Sequence, residues 1–304
     1  MTSIDKTAMS NDWTSVFPSA STTVQVDFGA QSRRGASRPV NEDHYVIIRL
    51  GRSQETLLTS LPETALARRF DEYGYAMVVA DGMGGGGMGE VASRLALATL
   101  VQLVRYFGKW NLRVDDGIAR EIIARAERFY RHVDATMLSE AGNDAATNLQ
   151  TTMTAVFGAG RDLFFAHVGH SRAYLYRNGE LMRLTRDHTI GLGSQSQVNL
   201  APLVDVNVTA RDLKHILTET IGKSGPRGPR IDLERFQLES NDVVLVCTNG
   251  LTDAVDEEVV ANVLASGHAP QDLCTSLVDF AAKAGAEDDV TVLVGRYRIP
   301  SAAG

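Results

Sequence analysis

Several acidic residues of this chain stand where an apolar segment begins or ends. The apolar run 78–80 is followed at once by Asp81 and then by a cluster of glycines. A strand that ends in a carboxylate and turns on glycine presents a metal ligand on a rigid support, because the glycines let the backbone approach an ion closely. Taken alone, the segment is more typical of a tight strand-to-helix turn in which Asp81 caps the helix.

Other acidic turns favour the metal interpretation. Glu42 and Asp43 stand just before an apolar segment, and Asp288 stands just before the last one. Asn249 and Asp253 follow a third. Carboxylates gathered at strand ends repel one another unless cations neutralise them. Because no Cys or His set has the spacing of a zinc site, these oxygen donors indicate magnesium or manganese.

The glycine cluster also fits a nucleotide-binding pattern. Gly82, Gly84 and Gly87 satisfy the G-x-G-x-x-G spacing between a strand and a helix. That fingerprint requires an acidic residue at the end of a second strand about 20 positions on, where this chain continues with helical periodicity. No Gly-Lys-Ser/Thr directly follows the glycine cluster, so the cluster does not form the phosphate loop of a nucleotide-binding protein. A dinucleotide-binding enzyme is therefore a weak alternative.

Composition narrows the class of protein. The 304 residues are 44% hydrophobic and carry a net charge of −7, which argues against nucleic acid or an anionic membrane as the main partner. The two cysteines predict buried thiols in a reducing compartment. Neither a membrane span nor a signal peptide is visible, and the polar segment 1–22 is typical of a flexible tail. We expect a soluble cytoplasmic protein.

Hydrophobic periodicity predicts the elements that must position these residues. Alternating or continuous apolar runs predict strands at 24–28, 45–50, 75–80, 151–158, 163–168, 173–177, 181–184, 243–247 and 290–297. Helical spacing predicts helices at about 88–107, 115–139, 257–264 and 271–284. Residues 51–72 are expected to form a loop or hairpin excursion, and residues 186–235 a mobile segment. Strands and helices come in blocks, which favours an α+β layered domain with antiparallel sheets.

The motifs together resemble one known family. In order, they are Arg38–Asp43, Val79–Gly85, Thr151–Thr152, Val168–Tyr174, Cys247–Leu251 and Asp288–Thr291. This order over nearly the whole chain resembles the metal-dependent protein phosphatases of the PPM type, also called type 2C, in their bacterial-like branch. The resemblance implies a four-layer α-β-β-α sandwich of two antiparallel sheets flanked by helix pairs. It also implies one phosphatase domain over 23–300, with a flap within 186–235.

The resemblance further implies a role for each matching residue. Asp81 would bridge two Mn²⁺ or Mg²⁺ ions, with the Gly82 carbonyl as a further ligand. Glu42 and Asp43 would hold the second metal, and Asp288 the first. Arg38 would bind the substrate phosphate, for which a guanidinium is well shaped. A water shared by the metals would attack phosphorus directly, and Arg38, Asp43 and Asp81 would be the catalytic residues.

Two positions depart from the family pattern. His170 stands where the family usually has an aspartate that serves a third, weaker metal together with the position of Asp253. Asn249 stands where an aspartate usually binds the first metal, and it offers a neutral carbonyl oxygen instead of a carboxylate. His170 is open to two interpretations, a metal ligand or a hydrogen-bonding structural residue.

The departures leave two classes of function. The first is a serine/threonine phosphoprotein phosphatase whose substrates are phosphoproteins made by an opposing protein kinase. The second is a pseudophosphatase, a phosphoprotein-binding regulatory module that keeps Arg38 but turns over poorly because its metal site is weakened. In either case we expect a monomer.

Overall fold

The computed structural model describes residues 24–61, 68–84, 87–109, 114–142, 149–190, 216–223 and 227–299. Within these ranges the strands are β1 (Gln25–Arg33), β2 (Asp43–Glu55), β3 (Arg69–Met83), β4 (Gln150–Thr151), β5 (Met153–Ala159), β6 (Asp162–Val168), β7 (Arg172–Arg177), β8 (Glu180–Arg183), β9 (Asp232–Gln237), β10 (Val243–Cys247) and β11 (Val290–Arg298). The helices are α1 (Met88–Phe107), α2 (Asp116–Ala141), α3 (Asn249–Ala254), α4 (Glu257–Ala265) and α5 (Pro270–Lys283).

The strands form two antiparallel sheets. The first sheet has the order β1-β11-β10-β7-β8, and the second has the order β2-β3-β5-β6-β9, with β4 paired to the end of β3. Helices α1 and α2 pack on the second sheet, and α3, α4 and α5 pack on the first. The predicted four-layer sandwich is confirmed, with a short third helix added to one of the expected pairs.

Successive side chains along β2 and β3 point to opposite faces of the second sheet. Met77 and Val79 point into the core between the two sheets, whereas Val78 and Ala80 point to the core beneath α1 and α2. Because side chains alternate along a strand, Asp81 continues the inter-sheet series of Met77 and Val79. The carboxylate of Asp81 therefore lies at the edge of the inter-sheet core.

Most predicted elements are confirmed within a few residues. Helix α1 has the predicted bounds, and α2 begins where Asp115 Oδ1 accepts a hydrogen bond from Ile118 N at 2.8 Å. The prediction of a loop or hairpin excursion over 51–72 missed the length of the strands, because β2 continues to Glu55 and β3 begins at Arg69. This outer part of the hairpin is polar and largely exposed, so backbone pairing forms it without an apolar pattern.

The segment predicted to be mobile contains a strand that the sequence did not reveal. Strand β9 begins at Asp232, near the end of 186–235, and continues to Gln237, pairing with β6 at the edge of the second sheet. The predicted tail 1–22 and the central part of that segment, 191–215, lie outside the described residues. Among the residues that are described, no helix is long and apolar enough to cross a membrane.

Close backbone contact joins the end of β3 to the start of α1. A Cβ atom at Gly82 would lie 1.8 Å from the carbonyl oxygen of Gly89. Ser93 on the first turns of α1 donates from Oγ to the carbonyl oxygen of Glu42 at 2.6 Å. Gly82 N also donates to that oxygen, at 3.2 Å. Glycine at position 82 thus lets α1 lie directly against the residues that surround Asp81.

Substitution of Gly82 tests this contact. We expect Gly82→Ala to lower the free energy of unfolding by about 3 kcal/mol, because the added methyl group meets backbone atoms that cannot rotate away. Urea denaturation monitored by circular dichroism measures the change. Gly117→Ala is the matched control, since Gly117 is exposed in the first turn of α2. A Cβ atom added there would meet only a side-chain atom, Asp115 Oδ1, at 3.1 Å. An equal effect of both substitutions would contradict the close-packing argument.

Candidate metal centre

Two buried carboxylates face each other at the end of the inter-sheet core. Asp43 and Asp81 are register partners on β2 and β3, and each residue is 6% exposed. Directly opposed side chains on neighbouring strands lie close together. The hairpin therefore brings together two negatively charged groups that are far apart in the sequence.

Hydroxyl groups from the first sheet hold Asp43. Thr248 Oγ1 and Thr291 Oγ1 donate to Asp43 Oδ2 at 2.8 and 2.7 Å. The other oxygen, Asp43 Oδ1, is buried and has no hydrogen-bond partner among the described residues. One oxygen of this carboxylate is fixed by the protein, and the second is left available to a ligand. Thr248 and Thr291 stand inside the motifs Cys247–Leu251 and Asp288–Thr291, but nothing in the sequence of either motif predicts a contact with Asp43.

The paired threonines fix the backbone around Asp81. The Asp81 carbonyl oxygen accepts hydrogen bonds from Thr152 N at 2.9 Å and from Thr151 Oγ1 at 2.8 Å. Asp81 N donates to Thr152 Oγ1 at 3.3 Å. These contacts use the main chain of Asp81 and do not engage its carboxylate.

Arg38 joins two other predicted ligands. Its Nε and Nη2 atoms both lie 2.8 Å from Asp288 Oδ1, and its Nη1 lies 3.3 Å from Glu42 Oε2. The hydrogen bond that Arg38 donates to Asp288 raises the pKa of Arg38, so the guanidinium stays charged. Arg38 is therefore a fixed cation among the carboxylates, and Asp288 is engaged with it.

Asp289 has a structural contact of its own. Its Oδ1 accepts from Gly35 N at 2.8 Å, and its Oδ2 accepts from Glu42 N at 2.7 Å. Both oxygens are thus committed to the backbone that carries Arg38 and Glu42. Asp289 orders the loop before β2, which the sequence alone did not indicate.

The two atypical positions lie on the other side of the centre. His170 Nδ1 is 3.8 Å from Asp81 Oδ2. Asn249, the first residue of α3, donates from Nδ2 to Asp253 Oδ2 at 3.0 Å. Its carbonyl oxygen Oδ1 is buried and has no hydrogen-bond partner in the described part of the chain. Asn249 therefore carries an unsatisfied oxygen of the kind that hard cations accept.

Burial and like charge make this cluster costly without a cation. Burial raises the pKa of Asp81 well above its usual range, and the charges of Asp43 and Asp288 raise it further. Burial also raises the pKa of Asp43, against the lowering effect of the hydroxyls of Thr291 and Thr248. Elevated pKa values of this origin show that the site favours additional positive charge.

The donor chemistry fits a hard divalent cation. Carboxylates, an amide oxygen and backbone carbonyls are the ligands of magnesium and manganese, and two of these oxygens are buried without a protein donor. Within the described ranges, no three His, Cys, Asp or Glu side chains are grouped so that they could hold a metal ion by themselves. The reasons are visible in the contacts, because Asp288 is paired with Arg38 and position 249 supplies an amide.

The centre opens into a polar cleft of about 1400 Å³. The predicted residues that line it are Arg38, His170, Asn249, Asp253 and Asp288. Beyond them the lining includes Arg172, Arg183 and Arg186. Arg172 is paired with Asp187 at 2.7 Å, whereas Arg186 is exposed. The cleft is large enough for a peptide side chain and its flanking residues.

The structure brings the predicted site residues into one region. Asp43 pairs with Asp81, His170 approaches Asp81, Arg38 joins Glu42 to Asp288, and Asn249 joins Asp253. His44, which follows Asp43 on β2, lies on the α1 side of the sheet, where its Nδ1 is 2.9 Å from Ser93 Oγ. Side-chain alternation places it on the face opposite Asp43.

Comparison with known proteins gives consistent matches. The family model described as "Protein phosphatase 2C" matches residues 64–283. Serine/threonine protein phosphatase PstP of Mycobacterium tuberculosis is 27% identical over 221 residues, which cover 72% of this chain and 39% of PstP. Protein phosphatase PhpP of Streptococcus pneumoniae is 29% identical over 217 residues, which cover 71% of this chain and 83% of PhpP. The match therefore spans well under half of the length of PstP.

A solved structure extends the comparison to the fold. The catalytic domain of PstP in complex with two manganese ions is 25% identical to this chain, with a TM-score of 0.65. The superposition covers 91% of this chain and 100% of that domain. The two sheets and their outer helices therefore correspond to a fold that binds two manganese ions in that protein.

Removal of a hydroxyl donor tests how Asp43 is held. We expect Thr291→Val to lower the free energy of unfolding of the metal-free protein by about 2 kcal/mol, because Asp43 Oδ2 loses a buried hydrogen bond. Thr291→Ser keeps the hydroxyl and is the matched control. Urea denaturation in the presence of a chelator measures both variants. If valine and serine have the same effect, the hydroxyl does not support Asp43.

Proposed function

The chain belongs to the protein phosphatase 2C family, and on that premise we propose that it is a metal-dependent phosphatase of phosphoserine and phosphothreonine in proteins. The observation that carries the proposal is the buried pair of Asp43 and Asp81, in which Asp81 Oδ2 lies 3.8 Å from Nδ1 of His170, a residue that lines the same cleft as Arg38. This arrangement offers hard donors for cations and a guanidinium for a phosphate within one site.

Asp43, Asp81 and the backbone carbonyl of Gly82 would hold manganese or magnesium, together with Glu42, Asn249 and Asp288. The bound ions would lower the pKa of water and neutralise the charge of the phosphoryl group. Thr248 and Thr291 keep the Asp43 carboxylate in a single orientation, and Thr151 and Thr152 do the same for the Asp81 backbone. The protein thus orders its carboxylates before any ligand arrives.

Arg38 binds and orients the substrate phosphate. A guanidinium carries five N–H donors in a fixed plane, so it can contact Asp288 and Glu42 on one side and phosphate oxygens on the other. Its contacts with Asp288 and Glu42 hold it at the wall of the cleft. The same contacts bring the phosphate next to Asp43 and Asp81.

His170 and Asp253 would serve a third, weaker cation. His170 Nδ1 lies 3.8 Å from Asp81 Oδ2, and Asp253 accepts a hydrogen bond from Asn249. A nitrogen donor is a softer ligand than a carboxylate for magnesium or manganese. This third site is therefore weaker than the site at Asp43 and Asp81.

The substrates are phosphoproteins produced by a serine/threonine kinase, and the protein acts as a cytoplasmic monomer. The names of the relatives PstP and PhpP as protein phosphatases support the substrate class. The net charge of −7 argues against nucleic acid as the partner.

One observation favours a second candidate, a regulatory module that binds phosphoproteins without efficient turnover. Asn249 is neutral, and Asp288 is already paired with Arg38. Both features lower the negative charge available to cations on that side of the centre. Binding of a phosphothreonine peptide that depends on Arg38, without hydrolysis in manganese, would identify this second function.

Hydrolysis assays test the proposed activity. We expect the protein to hydrolyse 4-nitrophenyl phosphate and a phosphothreonine peptide only when Mn²⁺ is present. Asp81→Asn should lower kcat/KM by at least about 100-fold, because a carboxylate that would hold the metal ions loses its charge. Asp279→Asn is the control, since Asp279 is an exposed residue of α5 outside the cleft. Full activity of Asp81→Asn would refute the assignment of the centre.

Restoration of a carboxylate at position 249 tests the metal ligands. We expect Asn249→Asp to tighten Mn²⁺ binding by about tenfold, because a charged oxygen replaces the neutral Oδ1. Without metal, the same variant should unfold at a lower temperature than the wild type, because the new charge faces Asp253. Calorimetric titration and thermal unfolding measure the two effects.

Asn262→Asp on the exposed face of α4 controls for the added charge and should change neither quantity. An unchanged affinity for Mn²⁺ in Asn249→Asp would remove Asn249 from the metal centre.

A further inference from the structure

A second cavity lies inside the outer layer of the protein, between the second sheet and the helix pair α1 and α2. Its volume is about 150 Å³. The lining includes Val46 and Ile48 of β2, Val78 of β3, Val104 of α1 and Ile122 of α2. Folded interiors contain few voids larger than a water molecule, so an apolar space of this size is an exception to ordinary packing.

The cavity is open to the outside. Val46, Ile48, Val104 and Ile122 are each partly exposed, although all of them belong to the apolar layer between sheet and helices. Leaving this apolar surface in contact with water is unfavourable. An apolar group that entered the space would remove it from water.

The charged part of the described lining is positive. Among the described residues that line the cavity, the charged ones are Lys109 and Arg125, and both are cationic. The Arg125 side chain is 11% exposed, and its Nη1 donates to the carbonyl oxygen of Lys109 at 3.3 Å. Glu121 is the acidic partner of both, at 3.5 Å from Arg125 and 3.7 Å from Lys109. Because a single carboxylate is paired with two cations, the entrance to the cavity at Lys109 and Arg125 keeps a net positive charge.

We propose that this cavity binds a small amphipathic carboxylate, with its apolar part among the valine and isoleucine side chains and its carboxylate at Arg125 and Lys109. An apolar cavity of about 150 Å³ accepts a group the size of a benzene ring. The apolar part is therefore an aromatic ring or an alkyl chain of about six carbons. A guanidinium beside an ammonium group recognises the carboxylate by charge-assisted hydrogen bonds.

The proposed site is separate from the metal centre. The register pair Val46 and Val78 lies three residues along the strands from the pair Asp43 and Asp81, which is about 10 Å at the usual rise of a strand. The two pairs also face opposite sides of the sheet, toward the helices and toward the inter-sheet core. Ligand binding here can therefore be tested whether or not the protein is a phosphatase.

Methyl NMR of the full chain, labelled at Ile, Leu and Val methyl groups, tests the proposal with three probes. Hexanoate should shift the methyl signals of Val46, Ile48, Val104 and Ile122 in a saturable manner. Hexan-1-ol, which has the same chain without the charge, should bind about tenfold more weakly. Acetate, which lacks the chain, should leave these methyl signals unchanged. Absence of saturable shifts with hexanoate, or equal affinity for hexanoate and hexan-1-ol, would overturn the proposal.

Two variants separate the charged entrance from the apolar interior. Arg125→Gln should weaken hexanoate binding about tenfold and leave hexan-1-ol binding unchanged. Arg128→Gln is the matched control, because Arg128 is exposed on the same helix and does not line the cavity. Ala126→Phe should fill the space and abolish binding of both probes. If Ala126→Phe does not fold, the comparison of Arg125→Gln with Arg128→Gln still tests the proposal. An equal effect of these two substitutions on hexanoate binding would refute the role of Arg125.

Discussion

Two buried carboxylates on neighbouring strands are the constraint around which this protein is organised. Asp43 and Asp81 face each other in the β2–β3 hairpin, at the end of the core between the two sheets. Their proximity is unfavourable in a dry environment unless donors and cations compensate for it. The surrounding residues can be understood by how each one compensates for, or makes use of, this negative charge.

Both sheets contribute to that compensation. Thr248 and Thr291 come from the first sheet and its adjoining turn, and they donate to the Asp43 of the second sheet. Asp289, beside Thr291, accepts from the backbone that carries Glu42. The centre therefore lies where the two sheets meet, and residues from both sheets form it. A change in the packing of one sheet against the other would move the donors relative to the carboxylates.

The second sheet carries different chemistry on its two faces. Its inner face ends in the carboxylates and the polar cleft, whereas its outer face forms the apolar space beneath α1 and α2. The alternation of side chains along β2 and β3 produces this separation, because neighbouring residues on one strand necessarily point in opposite directions. Glycine at position 82 then lets α1 approach the same strand end from the outer side.

The sequence by itself determined the order and type of most elements and the set of oxygen donors. Apolar periodicity over α1 and α2 and continuous apolar runs such as β10 are local properties, so they can be recognised without the fold. The sequence did not predict strand β9 or the outer parts of β2 and β3. These segments are strands because their backbone pairs with a neighbouring strand, and that pairing does not depend on an apolar pattern in their own sequence.

Only the tertiary structure decided which of these residues meet. Thr291 reaches Asp43 and Asp288 reaches Arg38 across roughly 250 residues of chain, and these contacts depend on the register of separate strands. The same register turned His44 toward α1 and placed His170 beside Asp81. A motif states which chemical groups are available, whereas distances, burial and the pairing of each oxygen arise only when the two sheets close on each other.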